Sequence, residues 1–132
     1  MDAVHVRLRG ERYAIEVADV VEVEQRDQMT PVWGASPLVV GVRNLRGSVL
    51  PIVDLAAALG LPSRPDAAYV VVVASGVATA GLEVDAVIDV EPLPLFDVQP
   101  ADQAGLRGRA MVDDELVGVI DVEAVLAMAG PV

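Results

Sequence analysis

Valine, isoleucine and leucine recur at every second position through much of this chain, and period-two alternation marks half-buried β-strands. Val4, Val6 and Leu8 set the pattern, followed by Tyr13, Ile15 and Val17, then Val21 and Val23. Residues 39–44 and 47–54 flank Leu45-Arg46 with Gly47 at the turn, which predicts a hairpin. Residues 69–76 are almost continuously apolar, as expected of a central strand covered on both faces. A further strand segment, 80–93, follows a turn at Ser75-Gly76, and 109–121 reads as two strands around the polar turn Asp113-Asp114-Glu115.

Two segments break this period and predict short helices. Asp54 can N-cap 55–60, which ends at Gly60 with Pro62 beyond, and Asp121 can N-cap 122–130, closed by Gly130 and Pro131. Residues 92–105, interrupted by three prolines, predict a long loop, and Pro31, Trp33 and Pro37 mark a second irregular stretch. The two strand-to-helix units are also alike. Residues 52–59 match 119–126 at an offset of 121 − 54 = 67, and the same offset lays Ile15, Val17, Val20, Val23 and Glu24 on Leu82, Val84, Val87, Val90 and Glu91. The shared offset predicts a duplicated chain: two halves of roughly 66 residues, each with about five strands and one short helix. Small sheets of that size hide their edges by curling into barrels, and two such marginal barrels should share an apolar interface.

Composition narrows the chemistry. The 132 residues carry 9 basic and 20 acidic side chains, a net charge of -11, and every basic residue is arginine. Such a surface repels nucleic-acid phosphates and anionic lipid. With no cysteine or lysine there is no disulfide, thiolate nucleophile, Schiff base or phosphate-loop lysine. His5 is the sole histidine, to be read as structural or merely exposed, and Ser36, Ser48, Ser63 and Ser75 lack a nucleophile-elbow setting. Glu16, Glu22, Glu24, Glu83, Asp85, Asp89 and Glu91 fall on the polar side of alternating strands and predict a solvated face. No catalytic residue, metal site or cofactor is expected. The N-terminal residues do not resemble a secretory signal, and the longest apolar run is far too short for a transmembrane helix, so the expectation is a soluble cytoplasmic protein.

Residues 41–55, Gly-Val-Arg-Asn-Leu-Arg-Gly-Ser-Val-Leu-Pro-Ile-Val-Asp-Leu, stand apart: an always-charged arginine sits beside a turn glycine in an otherwise acidic chain. This segment resembles the hallmark hairpin of the CheW family, the coupling proteins of bacterial chemotaxis, and residues 12–24, 81–90 and 116–126 are similar to further family segments. The resemblance implies an all-β chain, one domain over 1–132 made of two packed five-stranded SH3-like β-barrels with short connecting helices. The approximate subdomains are 1–66 and 67–132, with strands free to cross between them. It implies a non-catalytic adaptor that bridges the cytoplasmic tips of methyl-accepting chemoreceptors to the regulatory domain of a CheA-type histidine kinase, recruited to membrane-associated receptor arrays without inserting into the membrane. By resemblance, Val20, Glu22, Asn44, Arg46 and Gly47 line a receptor-facing groove, and the kinase surface stays unassigned. Arg46 has two readings: it holds the receptor, or it braces the hairpin through Glu22 or a neighbouring acid. An adaptor of a chemotaxis-like pathway controlling pili or gene expression is the alternative, and an oligonucleotide-binding barrel fits less well because the chain lacks an aromatic platform.

Overall fold

The computed structural model describes residues 1–26, 29–32, 36–62, 67–76, 78–94 and 98–130. Trp33 lies outside them. The described residues form eleven strands and two short α-helices: β1 (Asp2–Leu8), β2 (Glu11–Glu16), β3 (Val20–Gln25), β4 (Val39–Leu45), β5 (Ser48–Asp54), α1 (Leu55–Ala58), β6 (Tyr69–Ser75), β7 (Ala78–Val84), β8 (Ala86–Pro92), β9 (Gln99–Pro100), β10 (Leu106–Val112), β11 (Glu115–Ile120) and α2 (Val122–Ala129). Every strand and α-helix of the first half recurs in the second at the predicted offset of 67: β1 on β6, β2 on β7, β3 on β8, β4 on β10, β5 on β11 and α1 on α2.

The two halves are not the two barrels. One sheet runs β8-β1-β2-β11-β10-β9 and the other β3-β6-β7-β5-β4. Each sheet therefore takes its β1–β2 or β6–β7 hairpin from one half and its remaining strands from the other. The partition at 66/67 describes the sequence repeat but corrects to an interleaved pair in space. The exchange is locked by two parallel pairings, β5 with β7 (Ile52↔Gly81) and β11 with β2 (Gly118↔Tyr13), which join strands from opposite halves. Barrel A denotes below the sheet containing β1 and β2, and barrel B the sheet containing β6 and β7.

Alternation sorts the side chains into three cores. Ala3, Ala14, Val117 and Val119 fill barrel A, while Leu50, Ile52, Val70 and Val72 fill barrel B. The largest core lies between them: Val4, Val6 and Leu8 of β1 and Leu82 and Val84 of β7 meet Leu55 of α1 and Val122 and Val125 of α2. Burying each such side chain is worth about 1.5–3 kcal/mol, so neither barrel is independent of the other. The helices are fixed where the sequence placed them. Asp54 Oδ1 accepts from the Ala57 N–H at 3.1 Å, and Asp121 Oδ1 accepts from the Ala124 N–H at 3.0 Å. The backbone N–H of each aspartate donates to an equivalent carbonyl, Leu38 and Gly105, residues that are themselves 67 apart.

Some strand predictions shift. Val17 belongs to a 3-10 turn, Val17–Asp19, rather than to β2. That turn feeds β3 with the opposite face outward: Val21 and Val23 are 52% and 41% exposed, whereas Glu22 and Glu24 are partly covered. A register shift between Val20 and Glu22 lets Val20 still pack on the shared core. The predicted loop 92–105 holds β9, which pairs with Gly108 and Arg109 of β10. Its counterpart in barrel B is a single bridge between Thr30 and Val42.

Candidate functional site

The hairpin β4–β5 turns through Arg46 (φ 52) and Gly47 (φ 84), closed by the Leu45↔Ser48 pair. Two consecutive left-handed residues make the primed two-residue turn that matches strand twist, and glycine takes such a conformation without steric cost. Arg46 adopts it as a non-glycine. The Asn44 side-chain carbonyl accepts from the Gly47 N–H at 2.9 Å and fastens the turn from inside. Arg46 is thereby held out from the surface, its side chain 75% exposed, with Nη2 3.1 Å from Glu22 Oε2 on β3. Further in from the turn, Arg43 pairs with Glu24. These two ion pairs join β4 and its turn to β3; β3 and β4 are the two outer strands of barrel B, so the seam of the barrel runs through the predicted site.

Four of the five predicted residues come together, and Val20 stands apart from them. Glu22, Asn44, Arg46 and Gly47 surround one turn, and Val20 lies at the start of β3 beside the shared core. Their roles differ: Asn44 and Gly47 shape the turn, Glu22 anchors it, and Arg46 alone presents a charge to solvent. Glu22 and Glu24, expected on a solvated face, are seam residues, and the Glu22 Oε1 atom is buried without a hydrogen-bond partner. Glu83, also expected to be solvated, is buried; burial pushes its carboxyl above the usual range, opposed by Arg26, whose Nε lies 2.9 Å away.

Sequence reasoning missed a second feature. The outward apolar residues are duplicated at the same offset: Val21, Val23 and Val49 on barrel B correspond to Ile88, Val90 and Leu116 on barrel A, and all six are exposed. Barrel A adds Met111 where barrel B has Asn44, and the turn Arg46-Gly47 is replaced by Asp113-Asp114, again with both φ positive. Met111 and Leu116 border a depression of about 610 Å³ with Gln99, Pro100 and Arg109. The signal was available in the sequence, since laying Val21 and Val23 on Ile88 and Val90 is part of the repeat. Its meaning depended on which face of each strand is buried.

No group of three or more histidine, cysteine, aspartate or glutamate side chains suited to a metal occurs among the described residues. No helix among them is long and apolar enough to cross a membrane.

The CheW-like domain family matches residues 2–130. A probable chemotaxis protein CheW of Rhizobium etli is 32% identical, covering 92% of this chain and 84% of the relative. The chemotaxis protein CheW of Bacillus subtilis is 30% identical over 90% of this chain and 82% of its own length. The crystal structure of the scaffolding protein TtCheW from Thermoanaerobacter tengcongensis superposes with a TM-score of 0.83 at 28% identity, covering 91% of this chain and 88% of that one. The two interleaved barrels are thus the paired SH3-like subdomains of that structure, and the chain belongs to the CheW family.

Proposed function

We propose that this chain couples the cytoplasmic tips of chemoreceptors to the regulatory domain of a CheA-type histidine kinase, acting in the cytoplasm at membrane-associated receptor arrays. CheW proteins are non-catalytic adaptors of chemotaxis, so the work of this chain is to hold surfaces in register rather than to transform a substrate. The observation that carries the reading is the exposed Arg46, projected by a closed turn and positioned by Glu22 at the seam of barrel B. Guanidinium remains charged and can serve a carboxylate or several carbonyls at once, which suits the polar end of a helical hairpin. Val20, Glu22, Asn44, Arg46 and Gly47 form the receptor side of this reading.

The kinase side is taken by an outward apolar strand face. Val21 and Val23 on β3, or Ile88 and Val90 on β8, present apolar side chains on outer strands of their sheets. Such a face can continue the core of a related barrel across an interface.

The test is direct binding of the full chain, by calorimetry, to a purified receptor cytoplasmic fragment and separately to the kinase regulatory domain. Binding to both, each undiminished by prior saturation with the other, supports coupling. Binding to neither, or mutual exclusion, contradicts it.

A further inference from the structure

The pseudo-symmetry of the two barrels fails at one interior point. Where barrel B holds Val72 and Thr79, barrel A holds His5 and Arg12, at the same offset of 67. His5 is 0% exposed, on the face of β1 that also carries Ala3 and Arg7. Its Nδ1 accepts from Arg12 Nε at 3.0 Å, so the ring is neutral with its proton on Nε2, and Nε2 has no hydrogen-bond partner. Arg12, only 6% exposed, spans the barrel: Nη2 meets Glu91 of β8 at 2.5 Å, and Nη1 lies 3.6 Å from Glu115 of β11 and 3.9 Å from Asp113 in the β10–β11 turn. Arg7 pairs with the same Glu115. One guanidinium thus ties β2 to both β8 and the β10–β11 hairpin from inside, and the imidazole orients it.

We propose that neutral His5 is an acid-sensitive keystone of barrel A, and that its protonation frees Arg12 and loosens β8 and the β10–β11 hairpin while barrel B stays closed. A proton on Nδ1 turns the acceptor of Arg12 Nε into a second donor, which destroys that bond and sets two cations 3.0 Å apart in a site sheltered from water. Other groups around the ring pull both ways. Burial and Arg12 hold the imidazole below its ordinary range, whereas Glu91 and Asp113 favour the charged form; burial leads. Glu115 and Arg7 act through Arg12, and Asp89, the β8 register partner of His5, points its carboxylate to the Val90 N–H. Ala14 faces His5 from β2 without charge.

The sign follows from linkage. The folded state takes up the proton later than the unfolded chain, so this contribution to stability is intact above about pH 6.5 and is lost as pH falls toward the lower folded value. Barrel B has Val72 at this point, and its own buried acid, Glu83, is shifted upward, so acidification favours its folded form instead of opposing it.

The experiment uses the full chain and needs no variant at first, because its single histidine gives one imidazole signal. NMR titration is expected to place His5 below the ordinary midpoint. Amide protection factors, corrected for intrinsic exchange, are expected to fall in β1, β2, β8 and the β10–β11 hairpin as pH drops from about 6.5 to the His5 midpoint, with no such loss in β6 and β7. His5→Gln, which keeps an acceptor but cannot titrate, is expected to abolish that step. An unshifted His5 midpoint, equal loss in both barrels, or the same step in His5→Gln overturns the proposal.

Discussion

Arg46 illustrates how one position can be asked for charge and for backbone at once. Its left-handed conformation costs a non-glycine residue about 1 kcal/mol, and the protein retains arginine there although glycine would fit the turn without strain. The Glu22 contact is exposed on the arginine side, so its net worth is under about 1 kcal/mol, too little by itself to justify that choice. The two readings of Arg46 separate cleanly by substitution. Arg46→Asn keeps a residue that tolerates the turn and removes the charge. It is expected to leave the melting temperature within about 2 °C of the parent and to weaken receptor binding by roughly 5- to 150-fold, about 1–3 kcal/mol, in calorimetry. Unchanged receptor affinity would leave Arg46 as a brace only. The capping aspartates make a second residue-scale case. Asp121→Ala should cost about 1 kcal/mol, read as a drop of about 4 °C in thermal unfolding. Asp54→Ala should cost less, because the Asp54 carboxylate adds to the pressure that keeps the buried Glu83 carboxyl above its usual range. A larger loss at Asp54 would contradict this account of Glu83.

At the scale of elements, the outward faces of β3 and β8 show what alternation does and does not encode. Period two in Val21-Glu22-Val23-Glu24 establishes a strand with two unlike faces, and the strand is there. Which face is inside depends on the 3-10 turn before it and on the arginines of β4 and its turn that draw the glutamates into the seam, information held at residues 43 and 46 rather than in β3 itself. For the same reason the burial of His5 was invisible locally: its partner Arg12 follows closely, but Glu91 and Asp113 come from the far half of the chain. Hairpins and caps were legible because the information sits within a few residues, as at Asp54, Asp121 and the Arg46-Gly47 turn. The exposed valines also carry a prediction. Replacing Val21 and Val23, or Ile88 and Val90, by aspartate leaves the three cores untouched and should preserve folding by circular dichroism. One of the two double variants should lose kinase-domain binding at least tenfold, and the parent affinity should change less than about threefold between 50 and 200 mM salt, as expected for an apolar contact. Full binding in both variants, or a steep salt dependence, would refute the apolar docking face.

Across the whole molecule, duplication and exchange together explain how so small a chain offers two separate surfaces for the proposed coupling. The repeat was readable as a constant offset, because Val, Asp and Glu recur at matching positions. The exchange of hairpins was not, because parallel pairings such as Ile52↔Gly81 join segments with no local sequence mark. Once interleaved around the shared core, the barrels cannot drift apart, so a receptor at the β4–β5 turn and a kinase on an outer strand face would be held at a fixed spacing. The divergence between repeats supports that division of labour. Barrel B ends its hairpin in Arg46-Gly47 flanked by Asn44, and barrel A ends its hairpin in Asp113-Asp114 flanked by Met111. Coupling is the central claim, and co-sedimentation tests it most directly: receptor cytoplasmic fragments tethered to vesicles are pelleted with a CheA-type kinase lacking any direct affinity for them, with and without this chain. The account predicts that the kinase pellets only when the chain is present and that Arg46→Asn lowers the pelleted fraction of both chain and kinase; a kinase that stays in the supernatant while the chain pellets with receptor would contradict it.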